Sequence, residues 1–256
     1  MWESLPIQRI THGETYGFIS REHEYPAYED IHVCRWKDVS QNIKQWCLAV
    51  WKDEFQCQRN PSDDNDYLFW VPRKATLLAK HGRWIGPDKS KHMVYVCCNY
   101  VSPMHRKEGV SGRMILTMAH EFTKKYGPVQ FMFELQNIPK SLEDATPFLT
   151  FSYIWVPFLT RGNKWKPTKN LEFLNGKMGF HANFNGYRAF EYSGRHILFD
   201  AHNDIVYYDD YIDLYAFDGM NITGAYCRIF NPFGNVKIFV ENMYFRKHPD
   251  FTHFVV

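Results

Sequence analysis

Residues 93–135 read MVYVCCNYVSPMHRKEGVSGRMILTMAHEFTKKYGPVQFMFEL, and their changes of period decide the fold. Met93 to Val101 is an apolar run rich in β-branched and aromatic side chains, the composition of a strand buried on both faces. On such a strand the adjacent Cys97 and Cys98 are expected to point to opposite sides of the sheet. Ser102 to Gly109 then brings Pro, Gly and charge, which marks a loop. From Val110 the apolar positions switch to helical spacing: Val110, Met114, Ile115, Met118, Ala119 and Phe122 form one stripe. Lys124 and Lys125 suit the last turn of that helix, and Gly127 ends it. Val129 to Leu135 reads as a second buried strand. Strand, helix and strand in so short a stretch make a βαβ unit, so the two strands should run parallel.

Working outward, Val39, Ile43, Trp46, Cys47 and Val50 have helical spacing, with Asp38 or Ser40 as cap. Residues 60–66 (NPSDDND) are a loop, 67–72 and 75–80 are short strands, and GRWIGPDKSK is a hairpin-type connection. Downstream of about residue 165, short aromatic runs punctuated by Asn and Gly predict antiparallel strands. The polar, basic stretch RGNKWKPTKN marks a boundary, giving a core over 1–164 and a strand-rich part over 165–256 that completes the fold or a substrate groove. The fold class is α+β, a mixed central sheet flanked by helices with a strand-rich C-terminal extension.

Composition removes several functions. Lys and Arg number 30 against 28 Asp and Glu, too even a balance for a nucleic-acid protein. No apolar stretch is long enough to span a bilayer, so no stable membrane insertion is expected. The start shows no signal-peptide pattern, and the six cysteines have no zinc-type spacing; reduced thiols, a cytoplasmic setting and no metal are expected. Aromatics reach 18%, enough for apolar pockets and strand-rich walls.

The loop before the helix carries the chemistry. Arg106, Lys107, Glu108, Gly109, Val110 and Ser111 lie between a buried strand and a helix start. A loop in that setting turns backbone N–H groups toward one point, and the helix dipole adds positive potential, so a diphosphate is held without dedicated side chains. Gly109 and Gly112 permit close backbone approach.

This loop resembles the acyl-CoA pyrophosphate motif of the GNAT superfamily, (Q/R)-x-x-G-x-(G/A). More narrowly, MVYVCCNYV followed by SPMHRKEGVS is similar to the central strand and loop of N-myristoyltransferases. Met1-Trp2-Glu3-Ser4-Leu5, Tyr28-Glu29-Asp30, Cys34-Arg35-Trp36, Trp46 and Asn137-Ile138-Pro139-Lys140 match further stretches of that family in order, so the resemblance covers about residues 1–160. It departs where the family has Y-W-H-R, here Tyr153-Ile154-Trp155-Val156.

The resemblance implies a GNAT-like sheet and an acyl-CoA (myristoyl-CoA) co-substrate bound at Arg106–Ser111. It implies transfer of the acyl group to the N-terminal amine of a peptide or protein by direct attack. The oxyanion is then held by backbone N–H groups where the central strand bulges, at Cys98 and Asn99. The chain's terminal carboxylate, on Val256, is the family's base, and Glu29, Asp30, Arg35 and Trp36 fall at its substrate-binding stretches. The alternatives are a short-chain (acetyl) transferase, or a non-catalytic module that keeps the fold to bind acyl-CoA or another protein. His120-Glu121 begins like H-E-x-x-H, but Lys124 occupies the second ligand position, so that zinc reading fails. Asp200-Ala201-His202-Asn203-Asp204 and Tyr207 to Asp210 offer groups that could hold a metal or bind a basic peptide, and read more simply as the polar face of a strand and a turn.

Overall fold

The computed structural model describes residues 17–18, 24–55, 61, 65–85, 90–135, 149–158, 164–168, 180–181, 187–200, 203–209, 222–230, 234–241 and 243–244. In chain order these give β1 (Gly17–Phe18), β2 (His32–Arg35), a 3-10 turn (Trp36–Asp38), α1 (Gln41–Phe55), β3 (Asp66–Val71), β4 (Ala75–Ile85) and β5 (Ser90–Val101). A second 3-10 turn (Pro103–His105), α2 (Val110–Tyr126), β6 (Gln130–Leu135), β7 (Leu149–Pro157), β8 (Lys166–Thr168) and β9 (Phe180–His181) follow. The remainder is β10 (Arg188–Tyr192), β11 (Arg195–Phe199), β12 (Ile205–Tyr208), β13 (Gly224–Phe230), β14 (Val236–Glu241) and β15 (Met243–Tyr244).

One sheet organises the molecule, in the order β2-β3-β4-β5-β6-β14-β7-β13-β12-β11-β10-β8, with β9 pairing β4; β1 and β15 form a separate antiparallel pair. As the βαβ pattern predicts, β5 and β6 are parallel, with Met93 opposite Gln130 and Val96 opposite Phe133. The sequence order is broken once in an informative way. β14 inserts between β6 and β7, pairing Phe239 with Phe133 and Val236 with Phe151, so the C-terminal part builds the middle of the sheet. The later strands are antiparallel as expected at β10–β11 and β11–β12, but β12 meets β13 parallel at Ile205 and Cys227.

The two helices cover opposite faces. The α2 stripe of Val110, Met114, Ile115, Met118 and Phe122 packs on Phe69, Leu77, Ala79, Val94, Val96, Phe131 and Phe133. On the other face Cys47 and Trp51 of α1, with Trp36, pack on Leu68, Leu78, Met93, Tyr95, Cys97 and Met132. Trp51 Nε1 donates to Thr76 Oγ1 at 2.7 Å, so the buried indole keeps a partner while pinning α1 to β4. Each such side chain contributes about 1.5–3 kcal/mol through burial. Gly127 closes α2 with φ 76°, and its N–H donates to Thr123 O at 2.9 Å. A third cluster, around Trp165, Phe190, Ile197 and Phe199, makes a separate core for the C-terminal strands.

Candidate functional site at the end of the central strand

The site begins with an irregularity in β5. Thr76 of β4 faces Tyr100 and Leu78 faces Cys97, so Leu77 alone opposes both Cys98 and Asn99. That two-against-one count is a β-bulge, which re-aims the strand. Its backbone signature is the left-handed φ of 50° at Cys98. The bulge corrects the expectation for the cysteine pair: Cys97 and Cys98 both pack against the α1-side cluster rather than on opposite faces. Asn99 turns the other way, and its Nδ2 donates to Ser111 Oγ at 2.7 Å on the first turn of α2. The bulge and the helix start are thereby joined.

Beyond the bulge the parallel strands part. The β5–β6 register ends at Val96 and Phe133. β5 continues to Val101 against β4, while β6 continues to Leu135 against β14. A wedge therefore opens between parallel strands at their C-terminal ends, where α/β crossovers receive ligands. The α2 loop stands at that same end. Arg106 is extended, Lys107 is left-handed at φ 78°, and Gly109 is left-handed at φ 73° as the residue leading into the helix. Gly109 offers no side-chain cap and the first turn carries no acidic residue. The first N–H groups of a helix have no partner in the helix, so this end is suited to an anion.

Arg106, His105 and Glu108 of the loop are held by partners. Arg106 Nε donates to Val101 O at 3.1 Å and its guanidinium pairs with Glu54 Oε1 at 2.8 Å, which ties the loop to the end of α1. His105 Nδ1 lies 3.0 Å from Glu108 Oε1. Lys107 is exposed, whereas Val110 is buried and anchors the helix start in the α2-side core. The uncapped helix start and the exposed Lys107 give the loop its positive character.

The other sequence-derived residues scatter. Asp30 pairs with Arg113 of α2 at 3.1 Å, beside the Tyr28 ring, and Tyr28 N donates to Thr117 Oγ1 at 3.1 Å; the acidic loop therefore lies along the helix, with Glu29 exposed. Arg35 sits over the Tyr67 ring, 5.8 Å from its centroid, near the far end of α2. Trp36 is 5% exposed and stacks on Trp51 at 5.6 Å, which makes it a core side chain with little surface to offer a substrate. Val256 lies outside the described residues, as do Met1–Leu5 and Asn137–Lys140. His120 Nδ1 donates to Tyr25 O at 2.7 Å, a structural tie. Asp200 and Asp204 close the turn between β11 and β12, where Asp204 N donates to Asp200 Oδ1 at 2.9 Å.

Two features were missed by sequence reading. Tyr67 receives a hydrogen bond from Lys125 Nζ at 2.7 Å, while His81 and His92 stack on Tyr126 at 4.1 and 4.8 Å. Despite burial, the hydrogen bonds from Lys125, Tyr126 and Arg35 lower the Tyr67 phenol below its ordinary value. On β7, the departure at Ile154-Trp155 leaves Trp155 49% exposed and edge-on to Tyr226 of β13 at 5.0 Å. The buried thiols of Cys47 and Cys227 are pushed up to about 12 and about 11, which makes them inert at neutral pH. Among the described residues no helix is long and apolar enough to cross a membrane.

No family model matches this sequence, and no curated protein sequence matches it. Solved structures do match its shape. A structure of Saccharomyces cerevisiae N-myristoyltransferase with bound myristoyl-CoA aligns over 98% of this chain and 95% of that one, with a TM-score of 0.61 and 9% identity. A second, with bound myristoyl-CoA and inhibitors, aligns over 94% of this chain and 89% of that one, with a TM-score of 0.59 and 9% identity. The likeness is one of fold, and it extends well past residue 160, where the sequence resemblance ends.

Proposed function

We propose that this chain is an acyl-CoA-dependent N-acyltransferase that moves a fatty acyl group, myristoyl, from CoA to the N-terminal amine of a peptide or protein. The carrying observation is one juxtaposition. The Cys98–Asn99 bulge, the wedge between β5 and β6, and the Gly109-led start of α2 meet at one end of the sheet, held by the Asn99–Ser111 bond.

In this reading the backbone from Lys107 to Ser111 holds the CoA diphosphate at the helix start. The thioester enters the wedge, and the amine attacks its carbonyl carbon directly. Backbone N–H groups of Cys98 and Asn99 donate to the oxyanion that forms; one such donor is typically worth about 3 kcal/mol. The C–N bond forms, the C–S bond breaks, and CoA leaves as the thiol. Side-chain change at the two positions is tolerated because the donors are backbone. The exposed Glu29 is the member of the acidic loop that meets a cationic N-terminus in this reading, since Asp30 is held by Arg113.

Transfer tests this reading. With myristoyl-CoA and a short peptide beginning in glycine, the peptide should gain one myristoyl group as an amide while one equivalent of free CoA thiol appears. Faster transfer from acetyl-CoA would make the protein a short-chain transferase. Absence of transfer from either donor would overturn the enzymatic reading.

A further inference from the structure

The wedge holds one side chain that the resemblance did not single out. Val96 and Phe133 are the last paired residues of the parallel strands, so Cys97 and Glu134 are the next residue on each. Met132 packs in the α1-side cluster and Phe133 in the α2-side cluster, so the alternation puts Glu134 on the α1 side, with Tyr95, Cys97 and Cys98. The Tyr95 hydroxyl confirms the placement by donating to Glu134 Oε2. Glu134 is half-buried, whereas Tyr95 is 1% exposed and fixed in the core.

Three other carboxylates near the loop have partners of their own. Glu54 is held by Arg106, Glu108 by His105 and Asp30 by Arg113. Among the described residues Glu134 pairs with no cation, and its described partner is the Tyr95 hydroxyl. A strand-borne carboxylate at the mouth of the wedge, aimed by a rigid neighbour, is what removing a proton from an amine requires.

We infer that Glu134 is the general base of this site and Tyr95 the residue that positions it. The inference rests on the acyl-transfer reading above. Glu134 takes a proton from the incoming ammonium group, and the neutral amine nitrogen then forms the C–N bond at the thioester carbonyl. The second nitrogen proton leaves with the departing sulfur as the CoA thiol, and the proton on Glu134 returns to water. This assignment makes proton removal a task of β6 rather than of the terminal carboxylate on Val256.

The test compares Glu134→Gln with the wild-type chain, using myristoyl-CoA and two acceptors: a glycine-initiated peptide and a hydrazide, which is uncharged at neutral pH. Gln keeps the shape and an acceptor for Tyr95. Transfer to the peptide should fall about 100-fold or more in kcat, with the Tm and the myristoyl-CoA affinity unchanged. Transfer to the hydrazide, which arrives without an ammonium proton, should fall far less. A peptide rate within about threefold of wild type overturns the base role. So does an equal loss with both acceptors, which would mark a structural role. If Glu134→Gln does not fold, Tyr95→Phe serves instead: it removes only the positioning hydroxyl and should lower the peptide rate selectively, while an unchanged rate overturns the inference. A wild-type chain that binds acyl-CoA but transfers to neither acceptor sinks the transfer reading itself.

Discussion

Burial, and then the positive neighbours His92, Lys125 and Arg83, push the His81 imidazole from its ordinary 6.5 down to about 4. The folded chain keeps this ring neutral, stacked 4.1 Å from Tyr126, while the unfolded chain protonates it below 6.5. Its stabilising contribution is therefore complete above pH 6.5 and is lost as pH falls toward about 4. Urea midpoints between pH 7 and pH 4 should fall steeply for wild type and less so for His81→Gln; equal slopes would contradict the assignment. The Asn99–Ser111 bond gives a second test at this scale. Asn99→Ala and Ser111→Ala should each cost about 1 kcal/mol, and a double-mutant cycle should return a coupling of about 0.5–1.5 kcal/mol. Residues of this kind were hard to read in the sequence. Nothing in Cys97-Cys98-Asn99 announces a left-handed φ at a non-glycine residue, so the simple alternation put the two thiols on opposite faces. Trp36 matched a substrate-binding stretch, yet its ring is claimed by Trp51, a partner that only the tertiary fold supplies. Arg106 falls in the loop read as the acyl-CoA site, and its guanidinium is held by Glu54, far away in the chain.

At the scale of elements, α2 was legible because its stripe, basic last turn and terminal Gly127 all agree, and the helix runs Val110–Tyr126. Phe122→Ala on that stripe should cost about 3–5 kcal/mol, read as a lower urea midpoint, because the ring is 2% exposed among Tyr67, Phe69 and Tyr126. The sheet beyond β6 was less legible, since pairing between distant strands leaves no local period. That β14 separates β6 from β7 is a fact of tertiary packing. The β7–β13 pair carries its own constraint at Gly224, where an added Cβ would lie 2.6 Å from both Trp155 Cζ2 and Val156 O. Gly224→Ala should destabilise by about 1–3 kcal/mol. Adding Trp155→Ala should recover only part of that loss, because the Val156 carbonyl belongs to the backbone.

For the whole molecule, the fold reads as a device for bringing three backbone features together. A parallel pair that separates at Val96 and Phe133, a bulge one step further, and an uncapped helix start share one end of a sheet. The parallel pair and the helix start could be inferred from residues 93–135 alone; the wedge could not, because where the β5–β6 pairing ends and that β6 runs on against β14 are set by distant strands. The measurement that bears most directly on the site is thermal protection by CoA, acetyl-CoA and myristoyl-CoA, for wild type and for Gly109→Glu. At Gly109, φ is 73° and the space beyond is open, so a Glu side chain adds negative charge to the proposed diphosphate site at the price of modest backbone strain. A ligand at 100 times its Kd adds about 2.7 kcal/mol to stability, readily seen in Tm. The acyl-CoA reading requires a Tm rise for wild type that is largest with myristoyl-CoA and lost in Gly109→Glu. A wild-type Tm unmoved by all three ligands would contradict it.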